Sequence, residues 1–426
     1  MSRSAAGRDR RRLAAGLAVL AVLAFFVVRS IKDPEDFQGY VEVGRLVREG
    51  KHPYHDARPG VSTWPPAFTV VTVPASLLDD VSPWLARGLW LALIAAGLLM
   101  ALREIARLVH GKPLVLVPRE GALALGDPVL VIPLVLLVQP VFGSFLHLQI
   151  GTIMLAMVLV ALRLDAQGRS IAGGLLLGAA AALRVMPIVF LPWWAWRGRG
   201  KAALAGALAC ALLTVLPAVW LGPERFADHL RSWWATLGGD TWGVGKMNQS
   251  IPAVLDRWIG HGVVPFVSDR LVSLQPSGDP LVRALSLGLL GLVALAGLVT
   301  FRRRLRPDGP AMLVEWSVLF LVAAAFGPVC WKSYLVVALL PLALMLALDR
   351  DTRQPSGVRR VARWTWRVSG MLYLLPNPDI LGKELAGALE LAGLYAFGTL
   401  FLLGGLFVLR PRLGALELAD QRTAQA

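Results

Sequence analysis

Two cysteines in 426 residues, Cys210 and Cys330, both set inside apolar runs, leave no disulfide framework and no thiolate metal site to organise this chain. Charge is scarce too. Asp, Glu, Lys and Arg make up 17% of the sequence and hydrophobic residues 56%, above the roughly 45–50% apolar share of soluble domains, which excludes a soluble globular protein. Acidic residues are the rarer sign, 28 against 43 basic, for a net charge of +15. The basic residues fall in short clusters between apolar runs, as in a positive-inside membrane topology, so no nucleic-acid partner is expected. Tandem repeats, low-complexity tracts and a second soluble domain are missing as well. The first polar segment has no Asp-x-Asp, and Asp33, Glu35 and Asp36 make a weak cluster for a hard cation, so neither a metal nor a cofactor is expected.

What is present is apolar length. A bilayer is crossed by roughly 17–25 apolar residues in a helix, and about twelve runs meet that rule: 13–29, 64–79, 83–102, 122–141, 145–164, 171–194, 202–221, 283–301, 311–329, 333–348, 363–376 and 386–409. The expected fold is therefore all-α, a polytopic integral membrane protein forming a single membrane-embedded domain over 1–426. The second and eleventh runs are interrupted, by Pro65, Pro66 and Pro74 and by Arg367 and Pro376, and read as tilted or re-entrant pieces. The run at 13–29 follows a basic stretch as a signal peptide would, but no small-residue cleavage pattern accompanies it, which favours a first spanning helix. Basic loops at 197–201, 302–306, 349–363 and 410–412 fall on the side of the N-terminus, so both ends are expected in the cytoplasm. Arg103, Arg107, Lys112 and Arg119 oppose that count, either in an interfacial helix or because one early span is miscounted. Two extracytoplasmic segments are then long, 30–63 and 222–282, the second carrying Trp233, Trp234, Trp242 and Trp258 for the membrane interface.

Candidate chemistry concentrates in 33–68. Apolar or aromatic residues at Phe37, Tyr40, Val41, Val43 and Val47 predict a short amphipathic helix beginning near Asp36. An aspartate there suits a helix cap. It equally suits a general base, a carboxylate at an apolar boundary able to take a proton from a hydroxyl. Two cations in apolar runs stand out, because charge within a span is costly: Arg184, whose bland alternative is a pair with a carboxylate, and Lys332, whose alternative is snorkelling to the interface. His147 and Gln149 lie between two runs, the histidine reading first as structural. His52 and His55 flank Tyr54 and read as solvated loop residues. Asn248, Gln249 and Ser250 offer amides and a hydroxyl for sugar recognition. They also spell a glycosylation sequon, which the membrane-surface position argues against.

These residues stand in a recognisable order. Asp36-Phe37-x-x-Tyr40, then Gly50, Pro53-Tyr54 and Trp64-Pro65-Pro66-x-Phe68, resemble the first external loop of glycosyltransferase family 87, the polyprenyl-phosphate-mannose-dependent mannosyltransferases of the GT-C class. GGLLLGAAAALRVMPIVFLPWWAWRGRGKAA at 173–203, MNQSIPAVLDR at 247–257 and the Pro328-x-x-Trp331 helix boundary are similar to later family segments, so the resemblance covers roughly 33–345. Departures are Leu148-Gln149-Ile150-Gly151 where Gly-Gln-x-Asn is common, Arg184 in place of lysine, and Ser333-Tyr334 where many relatives carry histidine.

The resemblance implies a hexosyl transfer, with Asp36 as catalytic base and Asp33 as an alternative that Pro34 disfavours. It implies a substrate-binding set of Tyr40, Tyr54, Gln149, Arg184, Asn248, Gln249, Trp331 and Lys332. The implied partners are a polyprenyl-phosphate sugar donor, with mannose as the sugar, a glycolipid or glycan acceptor and the lipid bilayer. The implied place is the cell membrane, a bacterial plasma membrane, with transfer at its external face and inversion at the sugar. A multi-span transporter or flippase is the alternative from composition, and a non-catalytic envelope assembly factor a third. Loss of function on Asp36→Asn separates the enzyme from the last.

Overall fold

The computed structural model describes residues 21, 24–32, 35–58, 63–115, 121–237, 242–263, 274–302 and 309–425. Among them the chain is almost wholly helical, with one short parallel strand pair, Leu114–Val115 beside Leu123–Ala124. Most of the expected 13–29 span, Asp33, Arg119 and 303–306 lie outside the described residues.

Among the described residues, five helices are long and apolar enough to cross a membrane: Pro83–His110, Gly200–Leu221, Pro280–Thr300, Lys332–Arg350 and Leu394–Glu417. A sixth span is completed if Pro128–Leu136 and Val138–Leu146, bent by 70° at their junction, count as one. How these helices are covered decides their surroundings. Only 6% of the apolar window of Pro280–Thr300 and 22% of that of Gly200–Leu221 is buried within the protein. Surfaces that apolar and continuous are untenable in water, and they face hydrocarbon: this is a membrane protein. Lys332–Arg350, by contrast, is 83% buried and forms the central post of the bundle.

Several expected spans take another form. The run at 64–79 becomes a 3₁₀ turn, Pro66–Phe68, and the 13-residue helix Thr69–Val81, about 20 Å long against the ~30 Å of a hydrocarbon core. Its far end is polar. Asp79 and Asp80 receive Arg45 and Arg48 of the helix Glu35–Arg48, while Arg87 of Pro83–His110 reaches Asp79 at 2.5 Å. The run at 363–376 belongs to Ser356–Leu374, an amphipathic helix with Arg359, Arg360, Arg363 and Arg367 on its polar side.

Small residues set the closest helix contacts. Ser170–Leu183 lies against Gly200–Val215 so tightly that a methyl on Gly178 would strike the Gly206 carbonyl, and one on Gly174 the Ala202 carbonyl. Such backbone approach is how spanning helices associate where burial gives no hydrophobic advantage. Glu35–Arg48 seats on Thr69–Val81 in the same way, through Gly44 against Thr72.

Candidate active site

A cavity of about 630 Å³ opens where the two long segments expected outside the membrane meet. Its walls come from Asp36, Tyr40, Arg58 and Trp64 on the first, and Trp242, Gly243, Gly245, Met247 and Asn248 on the second. The bent Val138–Leu146 helix adds Gln139 and Leu146, with His147 and Gln149 just beyond it. The 3₁₀ turn that starts the central post adds Trp331, Lys332, Ser333 and Tyr334.

Asp36 sits in the first turn of Glu35–Arg48, where a negative charge is favoured by the helix dipole. Its Oδ2 accepts a short hydrogen bond from Gln149 Nε2, and Gln149 Oε1 accepts one from Ser333 Oγ at 2.5 Å. Three segments, 113 and 184 residues apart, thus converge on one carboxylate. Gln149 is delivered by an unusual backbone. Leu148 before it has φ 51°, the left-handed region that costs a residue with a Cβ roughly 1–2 kcal/mol. That conformation is held by burial of the Leu148 side chain and by Trp90 Nε1 donating to the Leu148 carbonyl at 2.7 Å. The resemblance led to the expectation of a glycine at this position, and the leucine is accommodated by its surroundings.

Tyr40 stands behind Asp36, edge-on to Trp64 and Phe68 at 5.3 Å, its buried hydroxyl without a hydrogen-bond partner. Burial first, then the Asp36 charge, pushes the phenol well above its ordinary pKa, and Arg184 acts the other way, so it stays neutral. Arg184 ends the helix Ser170–Leu183. It is 6% exposed, and its guanidinium lies 3.8 Å from the Tyr334 ring centroid and 5.3 Å from that of Trp64. No carboxylate pairs with it among the described residues, and its Nη2 is buried and unpartnered. Arg184 and Tyr334 also border a smaller apolar cavity with Met154, Leu155, Phe190 and Phe320. Tyr334 is common to both cavities.

Lys332 differs. It lines the large cavity but holds Glu390 at 2.8 Å, so its charge is matched rather than snorkelled. Glu390 is a partner the sequence reading passed over, a buried carboxylate inside an apolar run whose cost was itself the signal.

Other expected binders take positioning roles. Asn248 borders the cavity, but its amide donates to the Gly243 and Pro328 carbonyls and accepts from Ser250 N and Cys330 N. Its side chain is thereby committed to joining the loop to the 328–330 strand of chain, and no glycan could be carried there. Gln249 does not line the cavity; its Nε2 donates to the Lys246 and Glu390 carbonyls. Tyr54 does not line it either, and its hydroxyl donates to the Trp64 carbonyl at 2.7 Å. Arg257, also unanticipated, is fully buried and donates to the carbonyls of Val244, Gly245, Asn248 and Leu391. Burial lowers its pKa to about 10, still far above neutrality, and the cation anchors the Trp242–Asn248 wall.

Almost wholly helical among the described residues, with lipid-facing helices and a cavity of mixed polar and aromatic lining, the chain is of the class of polytopic membrane proteins. A sequence-family comparison matches residues 63–328 to glycosyltransferase family 87, and the chain belongs to that family. Asp36 and the Trp331–Tyr334 turn lie outside the matched stretch. A curated relative is the polyprenol-phosphate-mannose-dependent alpha-(1-2)-phosphatidylinositol mannoside mannosyltransferase of Mycobacterium tuberculosis, 28% identical over 224 residues. The aligned region is 51% of this chain and 46% of that protein, so the chain spans less than half the length of the relative it matches. No solved structure matches.

Proposed function

We propose that this protein transfers a sugar, mannose, from a polyprenyl-phosphate donor to a glycolipid or glycan acceptor at the external face of a bacterial plasma membrane. The observation that carries the reading is the Ser333–Gln149–Asp36 relay at the cavity wall. Gln149 fixes Oδ2, leaving Oδ1 to take the proton of an acceptor hydroxyl. As that proton moves to Asp36, the acceptor oxygen attacks the anomeric carbon from the face opposite the phosphate. The bond from that carbon to the phosphate oxygen breaks, and its electrons leave with the lipid phosphate, which inverts the centre. Negative charge gathers on the phosphate, and a preorganised cation aimed at it lowers the barrier. Arg184 is assigned that role, because Lys332 is already matched by Glu390.

The same reading takes the chain as one catalytic unit over 1–426. The 30–63 and 222–282 segments then form the extracytoplasmic face, with neither metal nor cofactor taking part in the transfer. It is tested by transfer of labelled sugar from polyprenyl-phosphate-mannose to a membrane glycolipid extract, with purified wild type beside Asp36→Asn. Transfer by wild type, lost in a variant that still folds, supports base and class together. Absence of transfer from any polyprenyl donor overturns the reading in favour of a transporter.

A further inference from the structure

Outside the large cavity, the loop at 51–58 packs on the helix Pro223–Thr236 and gathers imidazoles there. His52, His55 and Asp228 each offer a ligand atom, and the three lie within 4.8 Å of one another. The His52 ring centroid is 4.2 Å from that of His55 and 4.3 Å from that of His229. A merely structural cluster would close its hydrogen bonds. Here His229 Nδ1 is buried without a hydrogen-bond partner, and His229 is only 3% exposed. Asp228 Oδ2 stands 3.2 Å from His52 Nε2. An orphaned buried nitrogen is costly, and the His229 ring lies directly against that of His52. Imidazole nitrogens gathered beside a carboxylate are what a borderline metal ion takes.

We propose that His52, His55 and Asp228 bind one zinc-class divalent ion that staples the first long loop to the Pro223–Thr236 helix. Two imidazoles and one carboxylate suit Zn²⁺, with water completing four ligands, and rings this close allow both nitrogens to reach one ion at about 2.0–2.1 Å. One adjustment is required. The Tyr54 N–H, now 3.2 Å from His52 Nδ1, must release that nitrogen so it can carry the proton while Nε2 binds the ion. The turn is otherwise set, since Asp56 accepts the His52 N–H at 2.7 Å and Ser232 holds His55 Nε2 at 3.0 Å. The consequence reaches the cavity, because the stapled loop carries Tyr54, which fixes Trp64, and Arg58 at the rim. The absence of a metal expected from the sequence concerned the Asp33, Glu35 and Asp36 carboxylates; this site is elsewhere and uses nitrogen.

The test uses the full chain without a histidine tag, in nanodiscs, stripped with chelator and titrated with Zn²⁺, with metal content by mass spectrometry and thermal unfolding as readouts. Wild type is expected to hold one equivalent and to unfold at higher temperature when loaded. His55→Ala and Asp228→Asn, changes at accessible side chains, are expected to weaken binding by about 10–100-fold or more and to abolish the thermal shift. Co²⁺ in place of Zn²⁺ should give a four-coordinate visible spectrum in wild type alone. No stoichiometric metal in wild type, or metal retained equally by both variants, overturns the site, and neither readout depends on sugar transfer.

Discussion

Two buried arginine environments in this protein are built on opposite plans. Arg197 and Arg410 converge on Glu315, whose carboxylate takes Arg197 Nε and Arg410 Nε at 2.8 Å each and Trp193 Nε1 at 3.1 Å. Arg184 is buried as deeply, yet rests on aromatic faces, with an orphan nitrogen and, among the described residues, no carboxylate paired with it. A structural charge in a low-dielectric interior is matched by a partner and then stays silent. One left facing rings beside a cavity keeps its field for something that arrives. The contrast separates the cations that hold the bundle together from the one assigned to the leaving phosphate.

Five substitutions break or sharpen that contrast. Asp36→Asn, which removes the base while keeping the shape, is expected to cut turnover by about 10²–10⁴-fold, read as initial rate of sugar transfer per folded molecule. Arg184→Met should follow, with a loss of about 10²–10³ in kcat and little change in unfolding, since no ion pair is broken. Arg184→Lys should recover only part of that loss, because a point ammonium cannot reproduce the planar stack. Glu315→Ala should do the reverse. It strands two buried cations and is expected to lower stability by about 3–5 kcal/mol in a denaturant titration in detergent, while the molecules that remain folded transfer sugar at the wild-type rate. Ser333→Ala is the smallest. Losing one donor to Gln149 removes about 0.5–1.5 kcal/mol of hydrogen bonding, seen as a 2–10-fold fall in kcat at unchanged KM. If Arg184→Met unfolds the protein as Glu315→Ala does, the distinction between the two environments fails.

Much of the site was legible because charge and amide groups are rare in apolar sequence. Arg184 and Lys332 stood out for that reason, Asp36 and Gln149 as polar groups next to apolar runs, and all four border one of the two adjoining cavities. Their partners were not legible. Nothing in local pattern says that Lys332 meets Glu390 or that Gln149 meets Ser333, since those pairings are set by packing across 58 and 184 residues. Tyr54 and Gln249 looked like sugar binders for their chemistry, but backbone carbonyls nearby claim their donors. The helical class followed from composition, but apolar length could not distinguish a lipid-facing span such as Pro280–Thr300 from an enclosed post such as Lys332–Arg350. Nor could it show that the 64–79 run would stop short, its last turn held by arginines.

The glycine seam between Ser170–Leu183 and Gly200–Val215 has a mechanical meaning. With backbones touching at Gly174, Gly178 and Gly206, the two helices cannot slip past each other without collision, so they travel as a single beam. Arg184 hangs from the end of that beam, whereas the Trp242–Asn248 wall across the cavity belongs to a loop tied down by the Arg257 side chain. Both walls are therefore braced, the arginine by two helices that move together and the loop by a buried cation.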